Sequence, residues 1–122
     1  MTEEQAESPP NGPEATFAAE LGGGGAATLV MTGRLDVVSA PEARRRLAEP
    51  PVADAPHLLV DLSGVTFVDS AGMAVLARAR RDRLLRGGSV TLVRPAEEGA
   101  MRVFRLTGFD EIFTMVDRRP GP

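Results

Sequence analysis

The stretch Leu58-Leu59-Val60-Asp61-Leu62-Ser63-Gly64-Val65-Thr66-Phe67-Val68-Asp69-Ser70-Ala71-Gly72 narrows the possible architectures more than any other part of the chain. It opens as a short apolar run, His57–Leu62, without polar alternation. That pattern suits a parallel strand covered by helices on both faces. Ser63-Gly64 predicts a turn. Asp69-Ser70 then lies at the start of a long helix, Ser70–Arg86, closed by Gly87-Gly88. A strand followed directly by a long helix implies a parallel crossover, and so an α/β fold.

The flanking segments extend this pattern. Ala15–Leu21 predicts a short strand anchored by Phe17, and Gly22–Gly25 a flexible hairpin loop. A phosphate-cradling loop is the alternative for the four glycines, but the Lys-Ser/Thr that should follow is missing. Ala27–Gly33 predicts a second strand, antiparallel to the first. Ser39-Ala40-Pro41-Glu42 has the form of a capping box, with Ser39 as N-cap and Glu42 reaching back. The helix it opens should run to about Glu49 and stop at Pro50-Pro51, with Ala43 and Leu47 inward. Ser89–Val93 predicts a strand. Glu97–Leu106 predicts a helix that buries Met101 and Phe104 and ends at Thr107-Gly108. Glu111–Val116 predicts a last strand. The expected fold is a mixed sheet of about five strands, with a parallel core and an antiparallel edge, covered by about three helices.

The chain has 122 residues, enough for one domain at 15–117 between an acidic, Pro-rich tail (1–14), expected to be disordered, and a frayed end (118–122). A net charge of −3 argues against a nucleic-acid partner. The absence of Cys and the single histidine, His57, argue against a thiolate or histidine metal site and against a catalytic triad. His57 is expected to be structural or exposed. No cofactor is expected. The chain has no apolar run of membrane-spanning length, and its acidic start is unlike a signal peptide. The expected location is therefore the cytoplasm, away from membranes.

Ser70 has two readings. It is a helix cap, or it is a hydroxyl that accepts a phosphate where the unpaired amides of a helix start favour an anion. Asp69 is either the cap itself or part of a partner-facing surface. Asp36 is either the turn residue ending the second strand or a neighbour of the Ser70 loop. Asp61 is expected to hold its turn through Ser63 or Gly64. Val75, Leu76 and Ala79 make the best inward stripe of the long helix. Met73, Ala74 and Ala77 would then be left partly exposed beside Ser70, Ala71 and Gly72, as a partner-binding patch. Burial of Met73 under the third helix is the alternative. Arg78-Ala79-Arg80-Arg81-Asp82-Arg83 reads as a solvated face, with an anion site as its alternative.

Asp61–Met73 resembles the signature of STAS domains, in particular the bacterial anti-sigma factor antagonists. Gly33-Arg34-Leu35-Asp36 with Ala40-Pro41-Glu42, Arg86-Gly87-Gly88 before Val90–Val93, and Arg102–Asp110 resemble further blocks of that family in the same order. The resemblance covers roughly 15–117. It implies a non-enzymatic binding module whose unphosphorylated form binds an anti-sigma factor and frees a sigma factor. The anti-sigma factor is itself a serine kinase that phosphorylates Ser70 and is thereby released, and a phosphoserine phosphatase resets the switch. Many relatives carry a second serine at the position of Ala71. Relatives often continue into another C-terminal helix, for which too little chain follows Val116. Two alternatives stand beside this reading: a STAS adaptor of a membrane transport or lipid-trafficking ATPase complex, and a nucleotide-binding STAS protein.

Overall fold

The computed structural model describes residues 14–120. The expected tail at 1–14 lies almost wholly outside them. Strands β1 (Thr16–Leu21) and β2 (Ala26–Leu35) form a hairpin, closed where the Gly22 amide donates to the Ala26 carbonyl at 3.0 Å. Gly24 and Gly25 turn the chain at φ 67° and 78°, a region that glycine enters without cost. Helix α1 (Ala40–Leu47) leads to β3 (His57–Val68), and α2 (Ser70–Leu85) leads to β4 (Ser89–Val93). Helix α3 (Glu98–Thr107) and the single turn α4 (Phe109–Ile112) precede β5 (Thr114–Val116). The sheet order is β1-β2-β3-β4-β5, antiparallel at β1–β2 and parallel elsewhere. The expected mixed sheet with one antiparallel edge is therefore present.

Burial alternates along β2: Ala27, Leu29, Met31, Gly33 and Leu35 are buried, and the residues between them are half-buried. Leu58, Val60, Leu62, Val90 and Leu92 join them. Ala43 of α1, Val75 and Leu76 of α2 and Met101 and Phe104 of α3 complete one core cluster. Phe17 packs against its rim as the anchor of an otherwise exposed β1.

Several expectations fail, each for a local reason. Ser63-Gly64 does not end β3. The strand runs on to Val68 by absorbing extra residues: Val30 faces Asp61, but Thr32 already faces Gly64. This is a β-bulge, and the Asp61 carboxylate stabilises it by accepting from the Ser63 amide at 3.0 Å and the Ser63 hydroxyl at 2.7 Å. The capping box at Ser39 does not form. Ser39 instead donates to the Arg34 carbonyl at 2.7 Å, and Glu42 pairs with Arg45 and Arg46. The segment 109–112 is a helical turn, so β5 begins only at Thr114. The expected frayed end is anchored as far as Arg119. Its guanidinium reaches Asp61 on β3 at 2.7 Å and Glu20 on β1 at 2.8 Å. Asp61 is only 6 % exposed. Burial alone would raise its pKa, but the hydrogen bonds from Arg119 and Ser63 together hold it below the usual carboxylate value.

Candidate functional site

Where β3 passes into α2, Asp69 is the cap. It sits in an extended conformation and its Oδ1 accepts from the Gly72 amide at 3.0 Å. Its Oδ2 accepts from the Val37 amide at 3.0 Å, so one carboxylate ties the start of α2 to the β2–α1 loop. The Asp69 amide also donates to the Leu35 carbonyl at 3.3 Å. Of the two readings of Asp69, the structure supports the cap. Both carboxylate oxygens are held by backbone amides.

Ser70 is the first residue of α2 and is exposed. With Asp69 as cap, its hydroxyl makes no hydrogen bond among the described residues. It projects from a helix start, where the first amides have no intrahelical acceptor and the local field favours negative charge. A phosphate there would meet a favourable environment within its own domain.

Gly72 supplies the close packing that makes this junction possible. A methyl group at Gly72 would stand 2.2 Å from the Leu35 carbonyl oxygen. The first turn of α2 thus lies directly on the end of β2. Gly72 is buried, so the backbone it lets come close belongs to this chain.

The other expected site residues divide into two groups. Met73 is 3 % exposed and belongs to the core, which corrects its expected partial exposure. Asp36 is 9 % exposed and is the turn residue of its two readings. Its Oδ1 accepts from the Val38 and Ser39 amides, each at 3.1 Å. It is also a neighbour of the Ser70 loop through Leu35 and Val37, so both readings describe it. Asp36 and Gly72 therefore shape the surface from below. Ala74 is exposed, and Ala71 and Ala77 are half-buried.

Two surface residues escaped sequence reasoning. Val37 and Val38 are 67 % and 77 % exposed. The Val37 amide is bonded to Asp69, which places this apolar pair beside Ser70. Their signal was two β-branched residues between a completed strand and a helix start, where polar turn residues are usual. Arg83 was expected to be solvated, but it is only 2 % exposed. His57 is exposed at the far end of β3, with Nδ1 2.9 Å from the Ser89 hydroxyl. Among the described residues no group of three His, Cys, Asp or Glu side chains is arranged to hold a metal. Among the described residues no helix is long and apolar enough to cross a membrane.

No curated protein sequence matches the chain. Solved structures do. An anti-sigma factor antagonist from Mycobacterium paratuberculosis is similar at 26% identity and a TM-score of 0.75, with 92% of each chain covered. A Thermotoga maritima protein described as an anti-sigma factor antagonist is similar at 23% identity and a TM-score of 0.75, covering 84% of this chain and 86% of the other. The Bacillus protein SpoIIAA in its phosphorylated form is similar in fold at 16% identity and a TM-score of 0.64, covering 84% of this chain and 93% of that one. The family model for the STAS domain matches residues 22–119, which include the β2–α1 loop, the whole of α2 and the Arg119 anchor. The chain belongs to the STAS-domain family.

Proposed function

We propose that this protein is an anti-sigma factor antagonist, a binding module controlled by phosphorylation at Ser70. Its unphosphorylated form binds an anti-sigma factor with serine kinase activity and so frees a sigma factor. The kinase phosphorylates Ser70 and is released, and a phosphoserine phosphatase restores the binding form. These exchanges belong in the cytoplasm, where sigma factors act.

One observation carries the reading. Ser70 is exposed at the first position of α2, and its neighbour Asp69 performs the capping that would otherwise occupy the Ser70 hydroxyl. That hydroxyl is available to an approaching kinase. Around it lie the exposed Val37-Val38 pair, Ala74, and the partly exposed Ala71 and Ala77. A small apolar surface of this kind suits a contact that forms and dissociates. Asp36, Asp69, Gly72 and Met73 hold this surface in shape.

The switch acts on the partner rather than on the fold. A phosphate adds about −1.5 to −2 charges. At the start of α2 the domain tolerates that charge. Against an apolar partner surface the same charge must be desolvated or repelled, which weakens the contact. Ala71 leaves Ser70 as the single acceptor in this loop.

The test is phosphorylation in vitro by a candidate serine-kinase anti-sigma factor, sought first among the neighbouring genes. Incubation with ATP should add one phosphate, seen by intact mass, and Ser70→Ala should abolish it. Ser70→Asp should weaken capture of the kinase while the melting temperature moves by less than a few degrees. Equal modification of Ser70→Ala would refute the site, and unfolding of Ser70→Asp would show that Ser70 is structural.

A further inference from the structure

The second half of α2 ends far from Ser70. Arg83 lies thirteen positions further along, roughly 20 Å up the helix axis. There α2, the C-terminal half of α1 and the turn that follows α1 enclose a cleft of about 700 Å³. Its apolar wall is Leu47, Val75, Ala79 and Leu85, and its polar wall is Arg44, Arg78, Arg83, Arg86 and Asp82. Four guanidinium groups thus face one carboxylate, in a chain whose net charge is −3.

This cation excess is built into the site. Arg83 is 2 % exposed and donates to the Val52 carbonyl. Arg86 donates to the Ala53 carbonyl at 3.0 Å. Each guanidinium carries five N–H groups and gives one to the turn. The Arg83 Nε is buried and has no hydrogen-bond partner among the described residues. None of these four arginines pairs with a carboxylate at ion-pair distance among the described residues, whereas Arg45, Arg46, Arg94, Arg105 and Arg119 all do. Burial first, and then the neighbouring Arg86 charge, push the Arg83 pKa down against the smaller opposing pull of Asp82. Holding a turn needs only the two carbonyl bonds, and neutral donors would supply those. A buried guanidinium with no carboxylate at ion-pair distance, as at Arg83, is costly unless an anion completes it, and the exposed Arg44, Arg78 and Arg86 add to the positive field around it.

We propose that the cleft between α1 and α2 is a binding site for a phosphate-bearing small molecule, held by Arg44, Arg78, Arg83 and Arg86. The planar guanidinium fork matches phosphate oxygens two at a time. The cavity has room for an organic group as well, which would rest on Leu47 and Ala79. The site is separate from the Ser70 surface and does not depend on the function proposed above. Through α2, both sites share one rigid element.

Calorimetric titration of the full chain with pyrophosphate, at ionic strength matched with sodium chloride, tests it. One pyrophosphate should bind per chain, more tightly than orthophosphate. Amide chemical-shift changes should concentrate in residues 44–53 and 75–86. Arg44→Gln and Arg78→Gln, both exposed and neither bonded to the turn, should each weaken binding about tenfold, the loss expected for one charge-assisted hydrogen bond. Ser70→Ala should bind with unchanged affinity. Heat that vanishes at matched ionic strength, shifts centred on the start of α2, or unchanged affinity in a variant carrying both Arg44→Gln and Arg78→Gln would each overturn the proposal.

Discussion

Gly72→Ala is the sharpest test of how the Ser70 surface is held. A methyl carbon there would lie 2.2 Å from the Leu35 carbonyl oxygen and 2.9 Å from both its carbonyl carbon and its Cγ. Carbon and oxygen settle at about 3.3–3.6 Å, so the first turn of α2 must retreat by about 1 Å. The obstructing atoms are mostly backbone and cannot rotate aside. Retreat stretches the Asp69–Leu35 bond, already 3.3 Å, and the bond from the Val37 amide to Asp69. Overpacking of this kind costs about 1–3 kcal/mol, and a weakened cap adds up to about 1 kcal/mol. The better helix propensity of alanine returns up to about 1 kcal/mol. The net loss is about 2 kcal/mol, which lowers the urea midpoint by about 1 M at unchanged slope. Gly99→Ala is the matched control. It also lies in the first turn of a helix, but nothing stands within 4 Å of its added methyl, so it should be neutral or stabilising by up to about 1 kcal/mol. Midpoints for the two variants within 0.3 M of each other, read by far-UV circular dichroism, would refute the packing argument.

Val37→Asp and Val38→Asp, at exposed positions, should change stability by less than about 0.5 kcal/mol. In a binding titration they should weaken the anti-sigma partner at least about tenfold, and unchanged affinity would remove this pair from the proposed surface. Arg119→Ala should cost about 1 kcal/mol at pH 7, a value moderated by the solvent around its guanidinium. The Asp61 pKa is depressed in the folded state, so its contribution is complete above its unfolded value near 3.8 and is lost as pH falls through the folded value. The gap between wild type and Arg119→Ala in urea midpoints should therefore narrow progressively as pH falls below about 4, and a gap that keeps its pH 7 size throughout an acid titration would assign it to packing.

What the sequence shows of this molecule follows the reach of each signal. Leu58-Leu59-Val60, Val90–Val93 and the regular apolar spacing of α3 mark their elements because burial there is repeated every few residues. Asp69-Ser70 marks the start of α2 because a cap is a local device. The bulge at Ser63-Gly64 was hidden because serine and glycine also signal turns, and only the partner strand shows that pairing continues past them. Capping by Ser39 failed in the same way: Asp36, three residues earlier, had already organised the loop and directed the hydroxyl to Arg34. Met73 and Arg83 were misjudged because α2 is apolar around its first turns and arginine-rich afterwards, so its composition does not distinguish the face on the sheet from the face in solvent. The Ser70 loop was legible as chemistry. The Val37-Val38 pair beside it was not, because the bond that brings it there spans thirty-two positions of chain.

The order of strands in the sheet is also their order along the chain. No strand has to be inserted between two that have already paired, so the sheet can grow by addition at one open edge from the β1–β2 hairpin. Each addition closes a loop of moderate length, and loop-closure entropy rises only slowly with length. The last addition is β5, three residues long, and Arg119 then reaches back to β3 and β1. Those ion pairs join positions 58 and 99 residues apart, in a topology otherwise built from strands that neighbour one another along the chain. In kinetic terms, a contact that closes only after β5 has joined should slow the opening of the fold more than it speeds its formation, so Arg119→Ala should raise the unfolding rate and leave the folding rate nearly unchanged.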